Sequence, residues 1–378
     1  MSNPLFHKNV VGEVNNEVGS WSMNTFCAVG DINNDGLPDI VVSGRNGQLV
    51  WLENNGSPDG WKTHVIDQVT NLECGGVVSD LDGDGYPDIV IGGDARSDEL
   101  HLWKNPGSSG GAWTRHVIAK TGSTQFHDTA IGDVTGDGTR SLIYWNNRAH
   151  SLLRVPVPSD TTQTPWPGTE TIATGKVVNG LPEEGLVLAD LDGDGVNEIV
   201  AGTYWYKYTG DSSRPWEEHR FAEGYITTKI AVGDVDGDGK PEIILSEGDA
   251  CIYGKPEGGK LAYFRQRSDI RDMWEEIVIA EGLYDPHTLH AADLCGNGRM
   301  DLLVGEIGIK DQYEVKKPRI MIYENQGDGT FSRKLVDEGT GTHNAVLADM
   351  FGRGALDLVG RPLHGGEKWQ VHLFAREV

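Results

Sequence analysis

Four short acidic runs in this chain have the composition of a calcium loop. They are Asp31, Asn33, Asp35 and Asp39; Asp80, Asp82, Asp84 and Asp88; Asp190, Asp192, Asp194 and Glu198; and Asp234, Asp236, Asp238 and Glu242. Calcium takes six to eight oxygen ligands on a flexible loop. Side chains at loop positions 1, 3, 5 and 9, with the carbonyl of position 7, supply them. A glycine at position 6 permits the turn. Carboxylates this close repel one another in the absence of a cation. The expectation is about four structural calcium ions, one per complete loop.

A second group of residues suits proton transfer. His127, Glu184, Lys229, His287 and His343 each stand five or six residues before the first aspartate of an acidic loop. Imidazoles, an amine and a carboxylate brought to one place can remove a proton beside a carbonyl, hold the resulting enolate and protonate a leaving oxygen. Glu184 serves in this reading as a base or a metal ligand. Alternatively, two or three of the histidines hold a further divalent metal that polarises the substrate.

The elements that must position these groups are repeated. The loop unit is small-apolar residues, then Asp-x-Asp-x-Asp-Gly-x-x-Asp/Glu, then Ile/Leu-Val. It reads GDINNDGLPDIVVSG from Gly30, SDLDGDGYPDIVIGG from Ser79 and GDVTGDGTRSLIYW from Gly132. It continues as ADLDGDGVNEIVAG from Ala189, GDVDGDGKPEIILSEG from Gly233, ADLCGNGRMDLLVGE from Ala292 and ADMFGRGALDLVG from Ala348. The period is roughly fifty residues, the length of one four-stranded propeller blade. Three copies depart from the ligand pattern. Ser141 stands at position 9 of the third, and Cys295 and Asn297 at positions 3 and 5 of the sixth. Phe351 and Arg353 abolish the seventh.

Each repeat is predicted to give four strands. The first ends at the acidic loop, and the second is the apolar run after it, as in Asp39–Val42. The third is a segment such as Leu49–Glu53. The fourth often reads Trp-x-x-His-Val-Ile: Trp61–Ile66, Trp113–Ile118, and more loosely Trp216–Phe221 and Trp274–Ile279. After the seventh loop only a third strand, Val371–Phe374, precedes the end of the chain. Residues 5–11, which include Phe6-His-Lys-Asn-Val-Val11, match the missing fourth strand. The prediction is an all-β, seven-bladed β-propeller spanning residues 1–378 as a single domain, its last blade closed by the N-terminal strand.

This topology puts the acidic loops at one face and gathers the starts of the first strands, and the turns between second and third strands, at the other. The residue six before each leading aspartate is Thr25, Cys74, His127, Glu184, Thr228, His287 or His343; the next position adds Asp128, Lys229 and Asn344. A purely structural ring would carry small or apolar residues there, so this set is read as a central funnel site. His64, His116 and His219 instead recur with the outermost strand and are read as packing residues. His290 replaces an inter-blade apolar residue, as a core histidine or a support for His287. The second-to-third-strand turns supply the substrate-binding candidates Arg45, Asp94, Asn146, Glu247, Glu306 and Arg361. Insertions there carry aromatics, Tyr204 among them, on which a sugar ring could stack.

Composition narrows the partners. A net charge of −25 is unsuited to binding nucleic acid. The four cysteines have no zinc-site spacing and are too few for a disulfide scaffold. No run is long enough to span a bilayer, and the first twenty residues hold no apolar signal core. As written the chain reads as cytoplasmic, or as secreted if its start has been trimmed.

The acidic loop followed by an apolar strand resembles the FG-GAP (or VCBS) repeat of integrin α-subunit propellers and many microbial carbohydrate-active proteins. The stretch DPHTLHAADLCGNG, with His287 and His290, is similar to a segment of the propeller in fungal aldos-2-ulose (anhydrofructose) dehydratase, and to propeller polysaccharide lyases. The resemblance implies structural calcium on one face and a ligand entering by the other. The expected function is a carbohydrate-active enzyme working by β-elimination, a lyase or dehydratase. The alternatives are a carbohydrate-binding lectin and an integrin-like protein-interaction propeller. Lectins of this repeat type tend to repeat one site between blades, whereas the loop residues here differ from blade to blade.

Overall fold

The computed structural model describes residues 6–19 and 21–377. Its strands form seven four-stranded antiparallel sheets, the blades of a seven-bladed β-propeller, and a small two-stranded sheet pairing Val177–Val178 with Leu181–Pro182. Blade 1 comprises Asn24–Gly30, Asp39–Gly44, Asn46–Glu53 and Lys62–Thr70. Blade 2 comprises Leu72–Ser79, Asp88–Gly93, Glu99–Lys104 and Thr114–Lys120, and blade 3 Phe126–Gly132, Ser141–Asn146, Ser151–Pro156 and Glu170–Thr174. Blades 4, 5, 6 and 7 begin at Leu186–Ala189, Thr228–Gly233, Thr288–Ala292 and Val346–Ala348. Among the described residues there is no α-helix.

The local sequence accounts for these elements. The second strand of every blade is an apolar run bounded by the acidic loop and a polar turn, and it is buried along its whole length. An unalternating apolar run suits a strand covered on both faces. The fourth strand is different: Lys62–Thr70 and Glu275–Leu283 carry several exposed residues, as an outer strand should. Each fourth strand begins just after its tryptophan at Trp61, Trp113 and Trp274, slightly later than the sequence pattern suggested.

The last blade is completed from the other end of the chain. Phe6–Glu13 pairs antiparallel with Gln370–Arg376, Phe6 opposite Arg376 and Glu13 opposite Gln370, with a register shift between Val10 and Gly12. Leu5, the first residue expected in this strand, lies outside the described residues.

Contacts gather into two compact units. One holds the described residues up to 129, with 155–169 and 342–377; the other holds 130–154 and 170–341. In the first unit the core includes Ile40, Val42, Val50, Leu52, Val359, Val371 and Leu373, with a second cluster around Val41, Leu49, Ile89, Ile91 and Trp103. In the second unit, one cluster is centred on Val200, Trp205, Phe221, Leu245 and Phe264 and another on Ile244, Leu261, Leu289, Val304 and Tyr323.

Candidate functional site

The acidic loops share one hydrogen-bonded skeleton. The leading aspartate accepts the N–H of the position-6 glycine in all seven: Gly36 to Asp31 at 2.8 Å, Gly85 to Asp80 at 2.9 Å and Gly195 to Asp190 at 2.9 Å are typical. The copies that depart from the ligand pattern keep this bond, with Gly298 on Asp293 and Gly354 on Asp349. These glycines sit at positive φ, +93° at Gly36, where a side chain would be strained. Position 9 has its own structural task. Asp39 accepts Ile32 N–H at 3.0 Å and Asn54 N–H at 2.8 Å, pinning the loop to the end of the third strand. The frame shared by all seven loops is therefore a hydrogen-bonded turn.

The carboxylates remain well placed for a cation. Asp80, Asp82 and Asp84 offer oxygens within 4.8 Å of one another, as do Asp190, Asp192 and Asp194, and Asp234, Asp236 and Asp238. Asp88 Oδ2 and Glu242 Oε1, both fully buried at position 9, have no hydrogen-bond partner among the described residues. A buried, unsatisfied carboxylate oxygen beside three more carboxylates is costly without a cation. Burial pushes the Asp88 carboxyl up to about 6 and that of Glu242 to about 7. The donor set fits calcium.

A basic side chain also reaches several of these loops from the end of the third strand. Lys104 Nζ lies 2.9 Å from both Asp82 and Asp84 and 3.2 Å from Asp88. Lys207 contacts Asp192, lies 2.6 Å from Asp194 and 3.1 Å from Glu198. Arg265 Nε is 2.5 Å from Asp236, and in the seventh loop the cation comes from the loop itself, Arg353 Nη2 lying 2.8 Å from Asp357. Repulsion between bare carboxylates is thus weaker than the sequence suggests, because an internal cation offsets part of it. The first loop lacks this cation, since Glu53 stands where Lys104 does, just before the asparagine that caps position 9.

The opposite end of each blade carries the ionisable set. In the second unit, Glu184 and His287 offer a carboxylate oxygen and a ring nitrogen within 4.8 Å of each other. Both are 3% exposed. Asn147 Nδ2 donates to Glu184 Oε1 at 3.1 Å, and His287 Nε2 lies 4.0 Å from Asp249 Oδ1. A side-chain carbon built on Gly248 would meet His287 Cδ2 at 3.3 Å and Lys229 Cγ at 3.6 Å, so imidazole and lysine stem flank the same glycine. Thr227 holds this corner. Its carbonyl accepts Gly248 N–H at 2.8 Å and its hydroxyl accepts Asp249 N–H at 3.0 Å. Its φ is +45°, a left-handed conformation that costs a β-branched residue energy.

In the first unit, His127 is buried and bridges two neighbours. Its Nε2 lies 3.0 Å from Cys74 Sγ and its Nδ1 2.6 Å from Asp128 Oδ2. His343 is buried too, with Nδ1 3.1 Å from the carbonyl of Asn24 and its own N–H on the carbonyl of Arg361.

A profile of the FG-GAP-like repeat matches residues 80–144 and 190–245. The chain carries FG-GAP-like repeats. The matched segments hold the second, third, fourth and fifth loops, and the loop skeleton above recurs beyond them. No curated protein matches the chain. Among solved structures, rhamnogalacturonan lyase YesW is 14% identical, with a TM-score of 0.55 over 98% of this chain and 75% of that one. The exotype rhamnogalacturonan lyase YesX is 13% identical, with a TM-score of 0.55 over 97% and 75%. BBS1N, solved in complex with ARL6DN, is 8% identical, with a TM-score of 0.54 over 98% of each chain. At these identities the likeness is one of fold.

The turn residues between second and third strands are largely committed to the protein itself. Arg45 pairs with Glu73 at 2.9 Å and lies 4.0 Å from Asp94, which in turn binds Arg96 at 2.7 Å. Glu247 contacts Lys255 and accepts Lys260 N–H, while Glu306 binds Arg319 and accepts Tyr284 N–H. Arg361, 1% exposed, donates to the carbonyls of Ser43 and Val14. Asn146 accepts Ala149 N–H, and the Tyr204 ring lies 3.9 Å under Lys176 Nζ. All four cysteines are free thiols, and burial pushes that of Cys27 up to about 12.

Several neighbours of the candidate residues escaped the sequence reading. Asn147 and Asp249 lie in turns with no repeat signal. The cations Lys104, Lys207 and Arg265 had a usable signal, since each directly follows the third strand's apolar run.

Proposed function

We propose that this propeller is a carbohydrate-active enzyme that cleaves by β-elimination. The observation that carries the proposal is the buried Glu184–His287 pair, within 4.8 Å, with Lys229 flanking the same glycine as the imidazole. Burying a carboxylate, an imidazole and an amine together is costly in a purely structural corner. The fold shared with two rhamnogalacturonan lyases supports a uronic-acid polysaccharide as substrate, and the resemblance of the His287 segment to a dehydratase propeller adds a keto-sugar.

In this reaction a base takes the proton from the carbon next to the substrate carboxylate or carbonyl. The electrons form a double bond to the neighbouring carbon, whose bond to oxygen breaks, and an acid protonates that oxygen. His287 is assigned as the base, with the Asp249 carboxylate 4.0 Å from its Nε2, and the Lys229 ammonium steadies the enolate charge. Glu184 holds the imidazole or a cation. His127 and His343 hold the same repeat position within the first unit and are assigned acid–base roles there, His127 with Asp128 as its orienting partner. Calcium is assigned to the complete acidic loops, where it would fix the loop and offset carboxylate charge. No step of the elimination is given to it.

Replacing His287 by Ala tests the assignment. Turnover should fall by roughly 10²- to 10⁴-fold with the melting temperature nearly unchanged. Full activity in that variant, or loss of folding, would contradict it.

A further inference from the structure

The face that carries the acidic loops holds a cavity that the proposed chemistry does not use. It has a volume of about 450 Å³ and lies between blades 1 and 2 within the first unit. Trp51 and His64 from blade 1, Tyr86 from the second acidic loop, and Trp113 with the glycine-rich turn before it from blade 2 form its wall. That volume falls in the range of small-molecule sites.

The wall has the two properties a sugar ring needs. The first is flat aromatic surface. His64 stacks on Trp51 with ring centroids 4.2 Å apart and planes 8° from parallel, and a hydrogen bond of 2.6 Å from His64 Nε2 to Glu53 holds the stack. The second is polar groups left for a ligand. Two of the corresponding tryptophans give their indole N–H to their own turn, Trp61 to Ser57 O at 2.6 Å and Trp274 to Ile270 O at 2.8 Å, whereas that of Trp216 is buried without a partner among the described residues. Trp113 makes no such bond among the described residues, and neither do the Trp51 indole nor the Tyr86 hydroxyl. The turn before Trp113 is one residue longer than that before Trp61, counted from the capping asparagines Asn105 and Asn54, and it contains Gly107, Gly110 and Gly111.

We propose that this cavity binds a neutral pyranose unit, stacked on an aromatic plate and hydrogen-bonded by the indole N–H groups and the tyrosine hydroxyl. Its lining contains no lysine or arginine, and Asp31, Asp35 and Asp84 lie in the loops that supply Asn33 and Tyr86 to its rim. A uronate would therefore meet repulsion where a neutral sugar does not. The site belongs to the loop end of the blades, whereas the acid–base set occupies the strand starts. It would grip a neutral residue of a chain independently of cleavage, and it stands or falls separately from the proposed elimination.

The test is ligand-observed NMR with tryptophan fluorescence, titrating methyl glycosides of glucose, galactose and rhamnose, with galacturonic acid as the charged control. Wild-type protein should bind at least one neutral glycoside and bind galacturonic acid at least tenfold more weakly. Gly111→Gln narrows the cavity from an exposed turn where a side-chain carbon meets only ordinary contacts, at 3.7 Å or more. Trp113→Phe keeps an aromatic face and removes the N–H. Each should weaken binding at least tenfold while the melting temperature holds, and His287→Ala should bind as wild type does. Absence of binding by every neutral glycoside, or binding that survives Gly111→Gln and is lost in His287→Ala, would overturn the proposal.

Discussion

Lys104 Nζ lies 2.9 Å from Asp84 Oδ2, inside a loop whose carboxylates otherwise suit a calcium ion. A tethered ammonium and a free cation compete for the same oxygens. The second loop must displace Lys104 to gain the full benefit of a metal, and the fourth must displace Lys207, whereas the first has Glu53 in that place. Lys104→Met should raise calcium affinity at the second loop by about tenfold, equivalent to removing about 1.4 kcal/mol of competition. Calorimetric titration of the metal-free protein reads this directly. Equal affinity in wild type and variant would mean that the lysine moves aside at no cost.

Calcium removal should lower the melting temperature of the whole chain, since the loops join first to second strands in several blades. The expected shift in excess chelator is several degrees, reversed by adding calcium back. Elemental analysis showing no metal, with an unchanged melting curve, would leave the loops as bare turns neutralised by Lys104, Lys207 and Arg265.

Two buried histidines set an acid limit. Burial pushes His101 down to about 4, helped by Arg115, with Glu99 acting the other way. Burial likewise pushes His372 down to about 4, with Lys8 adding to the effect and Glu367 opposing it. The unfolded chain takes up these protons at about 6.5 and the folded chain only near 4. Their neutral forms therefore favour the fold above pH 6.5, and that advantage is lost as pH falls from 6.5 towards 4. At pH 5 each is expected to cost on the order of 1–2 kcal/mol. His372→Gln should shrink the fall in melting temperature between pH 7.5 and pH 5, and an unchanged fall would remove His372 from the account.

The N-terminal strand should be indispensable to the last blade. Deleting residues 1–13 would expose the edge of Gln370–Arg376, all of whose pairing on that side comes from Phe6–Glu13. The expected result is a fall in melting temperature of roughly 10 °C or more, with larger species in size-exclusion chromatography. A monomer of unchanged stability would contradict the closure.

The blades were legible because their signals are local. The aspartate–glycine loop fixes a turn by itself, through bonds such as Gly36 N–H to Asp31, and the apolar run after it can only be a strand buried on both faces. The matching of Phe6–Val11 to the missing strand needed only the repeat count. What stayed hidden depends on pairing between distant positions. Nothing in the local sequence reveals that Cys74 lies against His127, that Asn147 holds Glu184, or that Arg45 is spent on Glu73. The turn residues looked like free polar groups because their partners, such as Arg319 for Glu306, sit on neighbouring strands whose register the sequence does not state.

The most direct test of the central claim is incubation with uronic-acid oligosaccharides and keto-sugars while ultraviolet absorbance is followed. The account predicts a rise from an unsaturated product with wild-type protein, and a rise slowed roughly 10²-fold or more with His287→Ala and with Glu184→Gln. No absorbance change with any of these substrates, or the same rate in wild type and both variants, would contradict it.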